Sequence, residues 1–247
     1  MRILLDVSFA ASLLMVGVGM IVALLPMHVL NLSGSIQDVG ILASAFALSY
    51  LLAQMPIGYL ADRLGTKPFL LFGYTLAACS GIAFYFADAP NAIFLGRFIQ
   101  GAGEAPIWAL GPALLSLAYP DTKGKVIGIY NASIHLGLTI GPLLGIYLFR
   151  NNDDGLPFLV FAALCLSGGL LVLLFLPRIG VPGHELNQLP TMREFLGLVT
   201  KRTPAITLLG ILIYGASYGI CISVLPATLA LDKGFGTISN GVYFALF

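Results

Sequence analysis

Long apolar stretches separated by short polar connections set the pattern of this chain. Runs free of Asp, Glu, Lys and Arg cover 7–37, 39–61, 68–87, 105–120, 126–149, 155–177 and 203–231. A helix that crosses a bilayer needs about 20 mostly apolar residues, and every run but 105–120 has that length. That run reaches it by extending upstream to Ala92, which places Arg97 and Glu104 inside the bilayer. The pattern therefore predicts helices over 7–30, 39–61, 69–87, 92–119, 126–149, 156–177 and 204–230, with an eighth starting near Ser239 and reaching Phe247 in mid-span. The long connection is Arg178 to Thr203, where Thr191-Met-Arg-Glu194 fits a capping box and predicts a short amphipathic helix along the cytoplasmic face.

Composition agrees with this pattern. Hydrophobic residues make up 58% and charged residues 9% of the 247, against roughly 25% charged in a soluble domain. The chain cannot build a polar skin, so a multi-pass α-helical membrane protein with the lipid bilayer as its surroundings is expected. A net charge of +1 gives no case for a nucleic-acid partner. With the N-terminus in the cytoplasm, Arg2, Arg63, Lys67, Lys123, Lys125, Arg178, Arg193, Lys201 and Arg202 fall inside, and Arg150 and Lys233 outside. That bias selects the N-in orientation. Cys79, Cys165 and Cys221 all fall in expected spans and form neither a disulfide framework nor a metal cluster.

The fold class expected is an all-α membrane protein in two bundles. A six-helix N-terminal bundle covers 1–177, a central cytoplasmic loop covers 178–203, and 204–247 begins a second bundle with one to two helices. An internal repeat supports this plan. GMIVALLP at 19–26 parallels GICISVLP at 219–226, and GSI at 34–36 parallels GTI at 236–238. Parallel six-helix repeats are one architecture for alternating access. A second bundle matching the first would need about five more helices, so the chain reads as truncated.

Three stretches carry candidate chemistry. GYLADRLGTKP at 58–68 falls between helices 2 and 3. Gly58 is expected to let a neighbouring helix pack closely, Gly65 to permit a tight reversal, and Pro68 to suit the first turn of helix 3. Arg63 and Lys67 follow the positive-inside rule, whereas Asp62 wants a partner. In helix 4, Arg97, Gln100, Glu104 and Trp108 are spaced 3, 4 and 4 apart and share one face. Polar groups are costly in lipid, so that face should meet a water-filled cavity or other helices. Loss of water and a nearby Arg97 act on Glu104 in opposite senses, a combination suited to loading and unloading a proton. A neutral Glu104, or one paired with Arg97, is the structural alternative. In helix 5, Gly137, Gly141 and Gly145 form a flat strip for close packing and Pro142 adds a bend. Asn131, His135 and Thr139 lie on the opposite face. Generic packing for the glycines and a neutral hydrogen-bonded His135 remain open. Tyr50, Gln54, Gln100, Trp108, Asn131 and His135 are the candidate substrate-cavity residues.

The stretch Gly58-Tyr-Leu-Ala-Asp62-Arg63-Leu-Gly65-Thr-Lys67 resembles the G-x-L-A-D-R-x-G-R-K signature between helices 2 and 3 of the major facilitator superfamily, with Thr66 in place of a basic residue. Arg97-Phe-Ile-Gln100-Gly101 is similar to that family's R-x-x-Q-G pattern in helix 4. Gly137-Leu-Thr-Ile-Gly141-Pro142-Leu-Leu-Gly145 resembles the helix 5 stretch of its antiporter branches, with Ile146 replacing a final glycine. The resemblance implies a secondary transporter working by alternating access, and the short loops fit a bacterial inner-membrane protein. Asp62 would serve an inner latch, Arg97 and Glu104 proton coupling, and the helix 5 strip a seal between bundles. Proton-coupled efflux of small organic or drug-like compounds is the first expectation; uptake symport or sugar-type transport is the alternative. No zinc-type Cys/His spacing, phosphate-binding glycine loop or nucleophile elbow occurs, so neither a cofactor nor an enzyme is expected. A non-transporting fragment or a scaffold that needs a second chain stays open.

Overall fold

The helices start and stop where side chains and special backbones allow, and in most cases beyond the first charge. The computed structural model describes residues 1–33, 35–151, 155–177, 197, 200–221, 225, 228–229 and 237–246. Six long helices fill the first 177 residues: α1 (Arg2–Ser33), α2 (Ile36–Leu64), α3 (Thr66–Tyr85), α4 (Pro90–Ala118), α5 (Lys123–Asn151) and α6 (Leu156–Phe175). A single 3-10 turn, Pro120–Thr122, joins α4 to α5, and α7 (Arg202–Gly219) and α8 (Thr237–Leu246) follow. The Ser35 hydroxyl caps α2 by accepting from the Gln37 N–H at 3.2 Å, which satisfies one of the orphan donors of a helix start. Pro90 opens α4, where its missing N–H costs nothing.

Several helices outrun the expected bounds because a charge does not end a helix. α1 starts at Arg2 rather than 7, and α2 continues through Asp62 and Arg63 to Leu64 rather than 61. Charged side chains at helix ends can point to water while the backbone keeps its own bonds. The capping-box stretch at Thr191–Glu194 lies outside the described residues.

Apart from α3 with α4, consecutive helices are not the main packing partners. α1 packs chiefly on α5 and α6, α4 chiefly on α2 and α3, and α3 meets α6. Exchanging α1 with α4, α2 with α5, and α3 with α6 leaves this set of major contacts unchanged. Three helices and their structural repeat thus make the bundle, a nested arrangement known among transporter folds. α8 packs across α5 and α1.

Among the described residues, five helices are long and apolar enough to cross a membrane: α1, α2, α3, α5 and α6. α4 was expected among the spans. It is 29 residues long and lies against α2 and α3, and its apolar content is diluted by Arg97, Gln100 and Glu104, all of which are buried. Meanwhile Leu51, Leu52, Phe72, Leu95, Leu136 and Leu174 are exposed. Apolar residues outside and ionisable residues inside invert the arrangement of a soluble protein and suit a hydrocarbon surround.

Candidate functional site

Three polar side chains on α4 are enclosed and linked end to end. Arg97 Nη1 donates to Gln100 Oε1 at 2.9 Å, and Gln100 Nε2 donates to Glu104 Oε1 at 2.7 Å. Trp108 Nε1 donates to Glu104 Oε2 at 3.4 Å. The 3, 4, 4 spacing aligns all four on one helix face, as the sequence predicted. Arg97 is 9%, Gln100 0% and Glu104 2% exposed. The guanidinium carbon of Arg97 lies 4.9 Å from the centre of the Phe46 ring on α2, a cation–π contact that partly replaces lost water.

Two details sharpen the expectation. Gln100 stands between Arg97 and Glu104, so the pair makes no direct salt bridge; among the described residues, the one ion pair is Arg2–Asp6 at 3.9 Å. Seven residues on one helix put the two charges about 10 Å apart along the axis, a span that the Gln100 amide bridges. The polar face also meets other helices rather than an open water-filled cavity. At Gly101, beside Gln100, a Cβ would strike the Phe46 carbonyl and the Ser49 hydroxyl. The open space at this face is a small cleft at Arg97, walled by Val22, Leu25, Pro26, Val39 and Leu42. Arg97 Nε is buried there without a hydrogen-bond partner.

Tyr50 joins this constellation. It stacks on Phe46 at 5.8 Å and lies within electrostatic reach of Glu104. Gln54, one turn on, is half-buried. Asn131 and His135 are not brought in: both are exposed on α5, and the His135 carbonyl accepts from the Thr139 hydroxyl at 2.9 Å. Sequence reasoning missed Tyr130, whose fully buried hydroxyl donates to the Ile107 carbonyl at 3.0 Å and ties α5 to α4 beside Trp108. The available signal was its place, at spacing 4, 3, 4 and 4, on the face of Ile134, Gly137, Gly141 and Gly145.

That glycine face packs against α1, inside the first bundle, and so corrects the expected seal between bundles. A Cβ at Gly137 would stand 2.7 Å from the Ser12 carbonyl oxygen, and one at Gly141 2.8 Å from Gly19 Cα and 2.9 Å from the Met20 nitrogen. Gly19 answers from α1, where a Cβ would lie 2.9 Å from the Leu138 oxygen. Small residues on both helices let the backbones touch, the usual basis of close packing in membranes. Pro142 is buried on the same face.

The loop between α2 and α3 turns at Gly65, with φ 84° and ψ 160° and its N–H donating to the Ala61 carbonyl at 2.9 Å. This backbone region is essentially reserved for glycine, and Gly65→Ala should cost about 1–3 kcal/mol in unfolding measurements. Gly58 is a correction: nothing lies within 4 Å of a Cβ built there, because α2 turns another face to α4. Lys67 is held within the bundle. Its ammonium donates to the Leu173 and Leu176 carbonyls at 2.8 and 2.6 Å, capping the end of α6. Charge-assisted bonds to a helix C-terminus suggest that Lys67→Met lowers stability by about 1–2 kcal/mol, with Lys67→Arg recovering part of it in thermal melts. Arg63 lies over the Tyr59 ring at 4.3 Å. Asp62 is exposed.

The sequence matches the Major Facilitator Superfamily over residues 7–247. It is 26% identical to quinolone resistance protein NorA of Staphylococcus aureus (strain MRSA252), over 97% of this chain and 63% of that protein. It is 30% identical to the vesicular acetylcholine transporter of Torpedo torpedo, over 69% of this chain and 35% of that one. The crystal structure of the nucleoside transporter NupG superposes with a TM-score of 0.76 at 17% identity, covering 98% of this chain and 63% of the other. The chain thus spans between about a third and two thirds of the length of these proteins.

Proposed function

We propose that this chain, which belongs to the Major Facilitator Superfamily, supplies the first six-helix bundle and the start of the second in a proton-coupled exporter of small organic solutes. The observation that carries the reading is the enclosed Arg97–Gln100–Glu104–Trp108 chain. Ionisable groups inside a membrane bundle are costly and mark ion or substrate pathways. Glu104 is the group that can gain and lose a proton, since a guanidinium stays charged and an amide does not titrate. Binding of a solute that favours one state of Glu104 then shifts its proton occupancy, and by linkage the proton shifts the solute.

Relatives named for quinolone resistance and for acetylcholine support a small organic solute. On this reading the protein lies in the plasma membrane with its N-terminus in the cytoplasm. Residues 1–177 form one rocking unit, 178–203 the central loop, and 204–247 the opening of the other unit. Asp62, exposed beside the turn at Gly65, meets the second bundle, and Gly58 offers it a smooth surface. Tyr50, Gln54, Asn131 and His135 face the solute.

The test uses the whole protein in proteoliposomes with an acidic lumen, offered a quinolone or acetylcholine from outside. Exchange predicts accumulation in the lumen that collapses when a protonophore is added. With the gradient reversed, acidic outside, solute uptake that follows protons into the lumen would replace export with symport.

A further inference from the structure

Trp108 is the one tryptophan of the sequence, and it makes the weakest bond of the α4 chain. Gln100 and Glu104 are enclosed, whereas Trp108, one turn on, is only half-buried. The two oxygens of Glu104 are held unequally. Oε1 takes a 2.7 Å bond from Gln100. Oε2 takes one of 3.4 Å from the indole, beyond the usual 2.7–3.2 Å of an N–H···O bond and correspondingly weak. Arg97 reaches the carboxyl through Gln100. Tyr50 on α2 and Cys165 on α6 lie within its electrostatic range, but neither hydrogen-bonds it.

We propose that Trp108 is a positioning residue that gates Glu104: its N–H orients Oε2, its ring covers that oxygen, and its displacement opens the carboxyl to solute and proton. A weak bond suits this task, since it costs little to open, while the firm bond from Gln100 keeps the rest of the carboxyl in place. The inference rests on Glu104 being the proton site, and its test has a readout that does not depend on transport.

The whole protein, reconstituted in nanodiscs, is treated with the apolar carboxyl reagent dicyclohexylcarbodiimide, and the Glu104 peptide is followed by mass spectrometry. Trp108→Ala removes both the bond and the cover; Trp108→Phe keeps most of the cover and guards against a folding failure in the first variant. Labelling of Glu104 should quicken about five- to tenfold in Trp108→Ala, which loses bond and cover together, with Trp108→Phe, which loses only the bond, between it and wild type. N-ethylmaleimide labelling of buried Cys165 should stay unchanged. Equal Glu104 rates in all three proteins would overturn the gate. So would a parallel rise at Cys165, which would mean general loosening. Faster Glu104 labelling in a protein whose transport ignores protons would keep the gate and remove the coupling.

Discussion

Gly141→Leu is expected to cost more stability than any other single substitution in α5. The atoms that a Cβ would meet are backbone: the Val16 carbonyl oxygen, Gly19 Cα at 2.8 Å and the Met20 nitrogen at 2.9 Å. Side chains can rotate away from an intruder, but two helix backbones can only move apart. Overpacking typically costs about 1–3 kcal/mol when side chains can adjust, and this site should exceed that range. Gly128→Leu on the same helix is the control. Nothing lies within 4 Å of a Cβ there, so leucine should be neutral or stabilise by up to ~1 kcal/mol through helix propensity. Gly141→Leu should therefore lower the melting temperature while Gly128→Leu leaves it unchanged or raises it, and a matching loss in both would refute the strip as the α1–α5 contact.

The largest effect on activity is expected from Glu104→Gln. The amide keeps the volume, and its oxygen can still accept from Gln100. Its NH₂ group would then face the Trp108 N–H, donor against donor, which costs on the order of 1 kcal/mol. Folding should survive that loss. Proton-driven accumulation should fall by roughly 100-fold or more, the contribution of a positioned proton-transfer group. Solute-for-solute exchange without a proton gradient should persist, because no proton need leave. Glu104→Asp should retain part of the driven transport, since the carboxyl remains.

Legibility in the sequence followed helix periodicity and stopped where contacts crossed between helices. The face shared by Arg97, Gln100, Glu104 and Trp108 could be read because one helix fixes its spacing. Phe46 against Arg97 and Tyr130 against the Ile107 carbonyl could not, since no local rule sets how α2 and α5 meet α4. The glycine strip of α5 was legible as a packing surface, yet its partner α1 was not, and the seal was accordingly assigned to the wrong neighbour. Lys67 illustrates the same limit. Charge placed it at a membrane face, but its hold on the Leu173 and Leu176 carbonyls spans more than a hundred residues of sequence. The six helices were legible because runs of this length and apolarity have few other stable forms in lipid. Their ends were not, because charged side chains at a helix terminus reach water without breaking the backbone pattern.

Competition between solute and proton at Glu104 is the centre of the account, and proton release reports it most directly. The whole protein is held in detergent in weakly buffered solution with a pH-sensitive dye, and a quinolone is added near the pH of half-occupancy. Linkage predicts that wild type releases up to about half a proton per molecule, the amount Glu104 holds at that pH, and that Glu104→Gln releases none. Release of equal size from both proteins would contradict the account and place the coupling proton elsewhere.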